Sequence, residues 1–222
     1  MSWGLFHEIG RKFIHITILA VLAAFFIIQG SLVGAGYNPI LAKQVALLFL
    51  VTILILFLIL EYFRLELNWK MPFFSQFIRP KEQNRMYGVI YFLSATLISL
   101  AVFNPSIALT ALLMTTFGDM VAALVGKRYG ATLIYRNKTW AGFLAEMGMN
   151  LIVGFVVLSG LFRGIFLAMG VSLPEPVPGS FYIIIGMALV ATIVETIVDE
   201  LDDNLLIPIF SGFVGQIILF SL

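Results

Sequence analysis

Apolar residues run along the chain in seven long blocks, which are separated by short segments rich in glycine, proline or charge. A helix that crosses a bilayer needs about 20 mainly apolar residues, and each block is close to that length. The blocks predict transmembrane helices at about 13–33, 39–62, 86–103, 105–126, 140–162, 181–198 and 204–222. Pro39, Pro105 and Pro208 lie near predicted helix starts, where a missing N–H is tolerated best. The pattern therefore predicts an all-α polytopic membrane protein, in which residues 1–222 form a single integral membrane domain.

The composition supports a membrane protein. Hydrophobic residues make up 61% of the chain and charged residues 11%, against roughly 45–50% and about 25% in soluble domains. The chain has no cysteine, which excludes disulfides and any thiol nucleophile or ligand. Arg11 and Lys12 precede a block long enough to span, and no small-residue cleavage site follows closely. The first block is therefore predicted to be a helix rather than a cleaved signal.

The cations lie almost entirely on one side of the predicted membrane. Of the 13 lysines and arginines, all but Lys43 and Arg163 fall in segments on the same side as the N-terminus. The positive-inside rule predicts that this side is cytoplasmic. Among the acidic residues only Glu175 falls on the other side. A transporter would need polar groups at several depths from both faces, so this distribution favours a membrane enzyme with a cytosolic substrate.

The segment from Phe117 to Gly142 combines a carboxylate, two glycines and several cations. Asp119 lies about 10 Å inside a predicted helix, where a lone carboxylate would be protonated or paired. Gly126 and Gly130 allow close backbone approach and positive φ. Thr139 is a predicted N-cap, which would direct free N–H groups at the loop. The segment predicts a phosphate and metal site; neutralisation of Asp119 by a neighbouring lysine is the structural alternative.

A second acidic cluster lies near the C-terminal end of the chain. Glu195, Asp199 and either Asp202 or Asp203 share one helical face. The cluster is on the predicted cytoplasmic side, where positive charge is expected. A divalent cation or nearby basic groups would relieve the repulsion between these carboxylates, whereas the alternative is a solvated acidic loop.

Other polar residues lie in or near the apolar blocks. His15 follows the basic pair Arg11 and Lys12 and lies about one turn inside the first block, where an ionisable group is a candidate for function. This trio could clamp a triphosphate, although a basic pair also serves as a topology anchor. Glu61 and Arg64, three residues apart, predict an ion pair at the interface. Glu146 and Asn150 either line the same site or bond to a neighbouring helix.

Four motifs follow one another in order along nearly the whole chain. They are Arg11-Lys12-x-x-His15, Gly118-Asp119-x-x-Ala122-x-x-x-Gly126-x-x-x-Gly130, Lys138-Thr139-x-x-Gly142, and Glu195 with Asp203-Asn204-x-x-x-Pro208. Together they resemble the CTP-dependent lipid kinase family, which includes dolichol kinases, phytol kinases and CTP-dependent diacylglycerol kinases. That family is related to the CDP-lipid cytidylyltransferases.

The resemblance implies phosphoryl transfer from CTP to a lipid hydroxyl, with Mg²⁺ or another divalent cation as cofactor. The predicted nucleotide-binding residues are Arg11, Lys12, Gly126, Lys127, Gly130, Lys138, Thr139 and Asn204. The predicted metal ligands are Asp119, Glu195, Asp199 and Asp203. Asp119, His15 and Lys138 are the catalytic candidates, and the group that takes the hydroxyl proton stays open among the carboxylates and His15.

Two departures favour a kinase over a CDP-lipid synthase. Ala141 stands where the cytidylyltransferases have an acidic residue, and their PGHGG-like run is absent. A polyprenol such as dolichol is the first choice of acceptor, with diacylglycerol, phytol and geranylgeraniol as alternatives. A small transporter or lipid-binding membrane protein is the alternative from another class.

The expected partners are CTP, a membrane lipid alcohol and the bilayer, and no nucleic acid; a homodimer is among the arrangements that the sequence allows. The expected location is the plasma membrane of a prokaryote or the endoplasmic reticulum of a eukaryote, with the active site on the cytoplasmic face.

Overall fold

The computed structural model describes residues 5–67, 85–160, 164, 177, 179–198 and 202–222, and of residues 5–18 it describes the backbone alone. Over these residues the elements are α1 Leu5–Gly34, α2 Pro39–Glu66, α3 Gly88–Val102, α4 Pro105–Tyr129, β1 Leu133–Tyr135, β2 Lys138–Thr139, α5 Trp140–Leu158, α6 Ser180–Ile197 and α7 Asp203–Ser221. Every predicted helix has a counterpart. The short β1–β2 hairpin is the departure from the all-α prediction in this part of the chain.

Five of the described helices, α2 and α4 to α7, are long and apolar enough to cross a membrane. Helix α3 has 15 residues, and the part of α1 from Leu19 to Gly34 is also apolar but shorter than a span. These lengths and the apolar composition are those of a helical integral membrane protein. The count of seven spans, the cytoplasmic N-terminus and the single catalytic domain stay predictions.

Asparagine–proline pairs start two of the long helices. Asn38 accepts a hydrogen bond from the Ile40 N–H at 2.8 Å, and Asn104 caps α4 in the same way. The following proline fits the first helical position because its N–H would have no partner there. Pro208 differs, since α7 begins at Asp203 and the proline therefore lies inside the helix.

The chain divides into two compact units, Met1–Leu97 and Ile98–Leu222. In the first unit α1 packs along α2. The predicted pair at the end of α2 is confirmed: Arg64 Nε donates to Glu61 Oε2 at 2.8 Å, and Arg64 Nη2 donates to Glu61 Oε1 at 2.7 Å. The same Nη2 donates to the Arg85 carbonyl at 2.6 Å, and the Tyr87 N–H donates to Glu61 Oε1 at 2.7 Å. We call these contacts the Glu61–Arg64 clasp.

The second unit contains a bundle of four helices, α4 to α7. Helix α4 packs against α5 and α7, and α6 packs against the same two helices, so the four form a closed ring. Neighbours in the ring run antiparallel, as the facing pairs Gly126 with Gly142 and Gly154 with Met114 show for α4 and α5. The C-terminal ends of α4 and α6 therefore lie at the same end of the bundle as the N-terminal ends of α5 and α7.

Small residues one turn apart bring α4 and α5 close together. A Cβ added at Gly126 would lie 3.1 Å from Thr139 Oγ1 and 3.5 Å from the Gly142 Cα, and one at Gly142 would lie 3.1 Å from the Ala122 carbonyl oxygen. Close backbone approach through small residues is typical of helix packing in membranes. The positive φ that glycine would allow at Gly126 and Gly130 is not used, because Gly126 is helical and Gly130 has φ −75°.

Candidate functional site

Three carboxylates from three helices meet at one end of the four-helix bundle. Asp119 of α4, Glu195 of α6 and Asp203 of α7 each offer an oxygen, and these oxygens lie within 4.8 Å of one another. Glu195 is 3% exposed, whereas Asp119 and Asp203 are half-buried. We call these three residues the carboxylate cluster. It contains three of the four predicted metal ligands; the fourth, Asp199, lies outside the described residues.

The topology explains why residues so far apart in sequence converge. Asp203 is the first residue of α7, and Glu195 lies in the last turn of α6. Asp119 lies ten residues before the end of α4. At 1.5 Å per residue, α4 continues about 15 Å beyond the cluster. The chain then turns through the hairpin, where Thr139 lies beside Gly130, and the long side chain of Lys138 reaches Glu195.

Lys138 forms an ion pair with this cluster. Its Nζ donates to Glu195 Oε1. Burial lowers the pKa of the Lys138 ammonium. The charge and hydrogen bond of Glu195, together with the charges of Asp203 and Asp119, raise this pKa by more than burial lowers it, so it lies above its usual value. The side chain is still 39% exposed. Lys138 is thus positively charged at the edge of the cluster.

The carboxylate cluster has the donors that a hard divalent cation requires. Glu195 Oε2 is buried and has no hydrogen-bond partner among the described residues. Burying an uncompensated carboxylate oxygen is costly, and a cation beside it would remove that cost. An all-oxygen set of carboxylates suits Mg²⁺ or Mn²⁺ rather than a soft metal. The residues present therefore fit the predicted divalent cation.

The hairpin between α4 and α5 positions Lys138. Tyr135 pairs with Lys138 across the hairpin, and the Trp140 N–H donates to the Thr132 carbonyl at 3.1 Å. Arg136 turns the chain with φ 45°. The predicted N-cap of α5 is confirmed, since Thr139 Oγ1 accepts a hydrogen bond from the Gly142 N–H at 3.2 Å.

A separate set of hydrogen bonds fixes the start of α7. Asp202 caps the helix, and its Oδ1 accepts hydrogen bonds from the Asn204 N–H at 3.0 Å and from Asn204 Nδ2 at 2.7 Å. Asn204 is 5% exposed. Its amide therefore stabilises the turn that presents Asp203, and its predicted nucleotide-binding role stays a prediction.

Helix α5 adds buried polar groups that the predicted site does not include. Glu146 is 2% exposed and interacts electrostatically with Glu195 and Asp119. Asn150 Nδ2 donates to Thr192 Oγ1 of α6 at 3.1 Å, so this side chain bonds to a neighbouring helix. The sequence does carry a sign that these groups face the bundle: the spacing from Thr139 through Glu146 to Asn150 places all three on one face of α5.

The remaining predicted nucleotide-binding residues fall in different places. Lys127 is exposed in the last turn of α4. Arg11, Lys12 and His15 lie on α1, and their side chains are outside the described part of the structure. Their roles, like those of Gly126 and Gly130 in nucleotide binding, stay predictions.

Curated relatives of this chain are lipid kinases. It is 28% identical to the CTP-dependent diacylglycerol kinase 1 of Schizosaccharomyces pombe, over 95% of this chain and 93% of that protein. It is 28% identical to the CTP-dependent diacylglycerol kinase 1 of Saccharomyces cerevisiae, over 68% of this chain and 50% of that protein. It is 31% identical to a probable chloroplastic phytol kinase of Zea mays, over 64% of this chain and 46% of that protein.

These relatives confirm the resemblance to CTP-dependent lipid kinases that the four motifs predict. The chain spans about half the length of the Saccharomyces cerevisiae and Zea mays proteins. No protein-family model matches the chain, and no solved structure matches it.

Proposed function

We propose that this chain, a relative of the CTP-dependent lipid kinases, transfers the γ-phosphoryl group of CTP to the hydroxyl of a membrane lipid alcohol. The products would be the lipid phosphate, CDP and a proton. One observation carries the proposal: Asp119, Glu195 and Asp203 converge beside Lys138 at one end of a bundle of long apolar helices. Phosphoryl transfer needs mainly positioning and charge neutralisation, which this arrangement offers.

Each residue of the site has a definite part in this proposal. The carboxylate cluster would hold the divalent cation, whose chemistry is to neutralise charge on the transferring phosphoryl group. Lys138 would bind a phosphate of CTP, and Thr139 would keep the preceding residue in place through its N-cap. Arg11 and Lys12 are proposed to bind the nucleotide as well. A carboxylate at this end of the bundle, or His15, would take the hydroxyl proton.

The position of the cluster suits a reaction between a water-soluble and a lipid substrate. The cluster lies near the end of α6 and the start of α7, and beyond it lie the last turn of α4, with exposed Lys127 and Arg128, and the hairpin. We propose that CTP enters from this polar side, which the positive-inside rule makes cytoplasmic. The acceptor would reach the cluster from the bilayer with its hydroxyl foremost.

Diacylglycerol is our first choice of acceptor, because the relative that matches 93% of its own length is named as a CTP-dependent diacylglycerol kinase. Phytol is the second, since other relatives are named as probable phytol kinases. None of the relatives named here is described as a kinase of a polyprenol, the acceptor expected from the sequence. A CDP-lipid synthase would use the same nucleotide but would release pyrophosphate.

A single assay tests the proposal. Purified protein in nanodiscs receives CTP labelled at the γ-phosphate, Mg²⁺, and diacylglycerol, phytol or a polyprenol, and labelled lipid is scored by thin-layer chromatography. We expect label in a lipid phosphate together with CDP release. No labelled lipid with any acceptor would refute the kinase assignment. In a parallel reaction with α-labelled CTP and phosphatidate, labelled lipid together with pyrophosphate release would instead identify a synthase.

Matched carboxylate variants test the site in the same assay. Asp119→Asn should lower kcat by about 100-fold, because it removes charge stabilisation at the reacting group. Glu66→Gln, which changes an exposed carboxylate at the end of α2, should keep wild-type activity. Full activity of a folded Asp119→Asn protein would show that the metal assignment is wrong.

A further inference from the structure

The ammonium of Lys138 occupies part of the carboxylate cluster where a metal ion would bind. It is bound to Glu195 Oε1, and Glu195 is itself one of the three residues whose oxygens lie within 4.8 Å of one another. A carboxylate that is 3% exposed needs a positive partner. In this structure Lys138 supplies that partner, so the residue proposed to bind phosphate is engaged elsewhere.

We infer that Lys138 and a divalent cation compete for Glu195, and that Lys138 is released towards the nucleotide when the cation binds. The inference deepens the proposed function, since it gives the phosphate-binding lysine two alternative partners. An ammonium and a divalent cation within about 5 Å repel each other strongly when both are partly buried. Each of them therefore binds the Glu195 carboxylate less tightly when the other is bound.

The local structure allows Lys138 to change partners without refolding. Its side chain is 39% exposed, whereas that of Glu195 is 4% exposed, so the lysine can move outward while the acid cannot. The backbone beside Lys138 is held by the Thr139 cap and by the bond from Trp140 to Thr132. Release therefore requires only side-chain rotation, which is fast compared with turnover.

The second oxygen of Glu195 is independent support for a cation at this place. Oε2 is buried and has no hydrogen-bond partner among the described residues, although Oε1 of the same carboxylate is paired with Lys138. One ammonium thus satisfies only half of this carboxylate. A cation that bound the cluster could use Oε2 at once and would then weaken the hold of Oε1 on Lys138.

Competition makes metal and nucleotide binding cooperative. If Lys138 lowers the affinity of the cluster for the cation, a phosphate that draws Lys138 away raises that affinity. By linkage, the cation must raise the affinity for the phosphate by the same factor. The lysine would thereby keep the cation weakly bound until CTP is present.

A titration with Mn²⁺ alone tests the inference, without CTP and without lipid. Free Mn²⁺ is followed by electron paramagnetic resonance in purified wild-type protein and in Lys138→Gln, whose fold is checked by its melting temperature. The variant should bind Mn²⁺ about tenfold more tightly. Arg128→Gln is the control, because it removes one positive charge from the last turn of α4, where Arg128 lies over the Tyr129 ring. Its affinity for Mn²⁺ should equal that of the wild type.

Unchanged or weaker Mn²⁺ binding by folded Lys138→Gln would overturn the inference, as would the absence of Mn²⁺ binding from both proteins.

A second experiment uses the wild type alone, so that the inference can be tested even if the Lys138→Gln variant does not fold. Acylation of Lys138, followed by mass spectrometry with Lys127 as the internal reference, should become several-fold faster when Mg²⁺ is added. An unchanged rate ratio at saturating Mg²⁺ would also overturn it. Since neither experiment contains a substrate, failure here is separate from failure of the kinase assay.

Discussion

Replacement of Gly130 by alanine should destabilise the fold, because the glycine is needed for packing. An alanine Cβ there would press against the Gly126 carbonyl oxygen and lie 2.6 Å from both Oγ1 and Cγ2 of Thr139. The carbonyl cannot turn away freely, since it accepts a hydrogen bond from the Gly130 N–H at 3.0 Å. The backbone at Gly130, with φ −75° and ψ 93°, is accessible to alanine. The cost is therefore steric.

The size of this effect follows from two opposing contributions. Overpacking of a filled site costs about 1–3 kcal/mol, while alanine recovers about 0.4–1 kcal/mol by restricting the unfolded chain. A net loss of about 1–2 kcal/mol corresponds to a melting temperature roughly 2–8 °C lower for a chain of this length. Gly148→Ala is the matched control, because a Cβ there meets nothing within 4 Å.

Melting curves of both variants in the same detergent, with and without CTP, distinguish packing from nucleotide binding. We expect Gly130→Ala to melt below the wild type without ligand and Gly148→Ala to melt at or above it. If Gly130 served only to let a phosphate approach, the variant would melt normally without ligand and would lose the stabilisation that CTP provides. That result would refute the packing role.

Two further substitutions test other contacts. Glu61→Gln should lower the free energy of unfolding in mixed micelles by about 3 kcal/mol, because Arg64 would keep its buried charge without its ionic partner. Exposed Glu66→Gln should leave it unchanged, and equal values for the two variants would contradict this role. Thr139→Ala should cost about 1 kcal/mol through loss of the N-cap. Hydrogen exchange at the Gly142 amide should accelerate in this variant but not in Thr139→Ser; equal acceleration in both would argue against the cap.

The helices were predictable from the sequence because their apolar lengths alone define them. The predicted block at 105–126 became α4, Pro105–Tyr129, with Asn104 as its cap. The convergence of Asp119 with Glu195 and Asp203 was also foreseeable in outline. All of them belong to segments whose charge lies on one side of the predicted membrane, so they had to meet at one end of any antiparallel bundle.

The hairpin could not be predicted in this way. Its turn places Arg136 at φ 45°, a conformation that glycine or asparagine adopts more readily, so the sequence carried no turn signal at that position. The packing partner of Gly126 could not be predicted for a related reason. Its spacing is visible in the sequence, but its partner is not, and contact with Thr139 and Gly142 depends on how α5 returns along α4.

Asn204 illustrates a third limit of the sequence. The amide follows two acidic residues, and its position in the motif suggested contact with the nucleotide. In the structure it is buried and donates to Asp202. A short polar side chain near a helix start can satisfy its own backbone or a ligand equally well, and only the local geometry separates these roles.

The Glu61–Arg64 clasp has a consequence for the length of the chain between α2 and α3. It joins both ends of that connection, since Arg64 holds the Arg85 carbonyl and Glu61 holds the Tyr87 amide. Loop-closure entropy grows slowly with loop length, by only about 0.6 kcal/mol for each doubling. Insertions between residues 67 and 85 should therefore leave the start of α3 in register with the end of α2. A fluorescent reporter or an affinity tag could be placed there, and the connection could differ in length between proteins that keep the clasp.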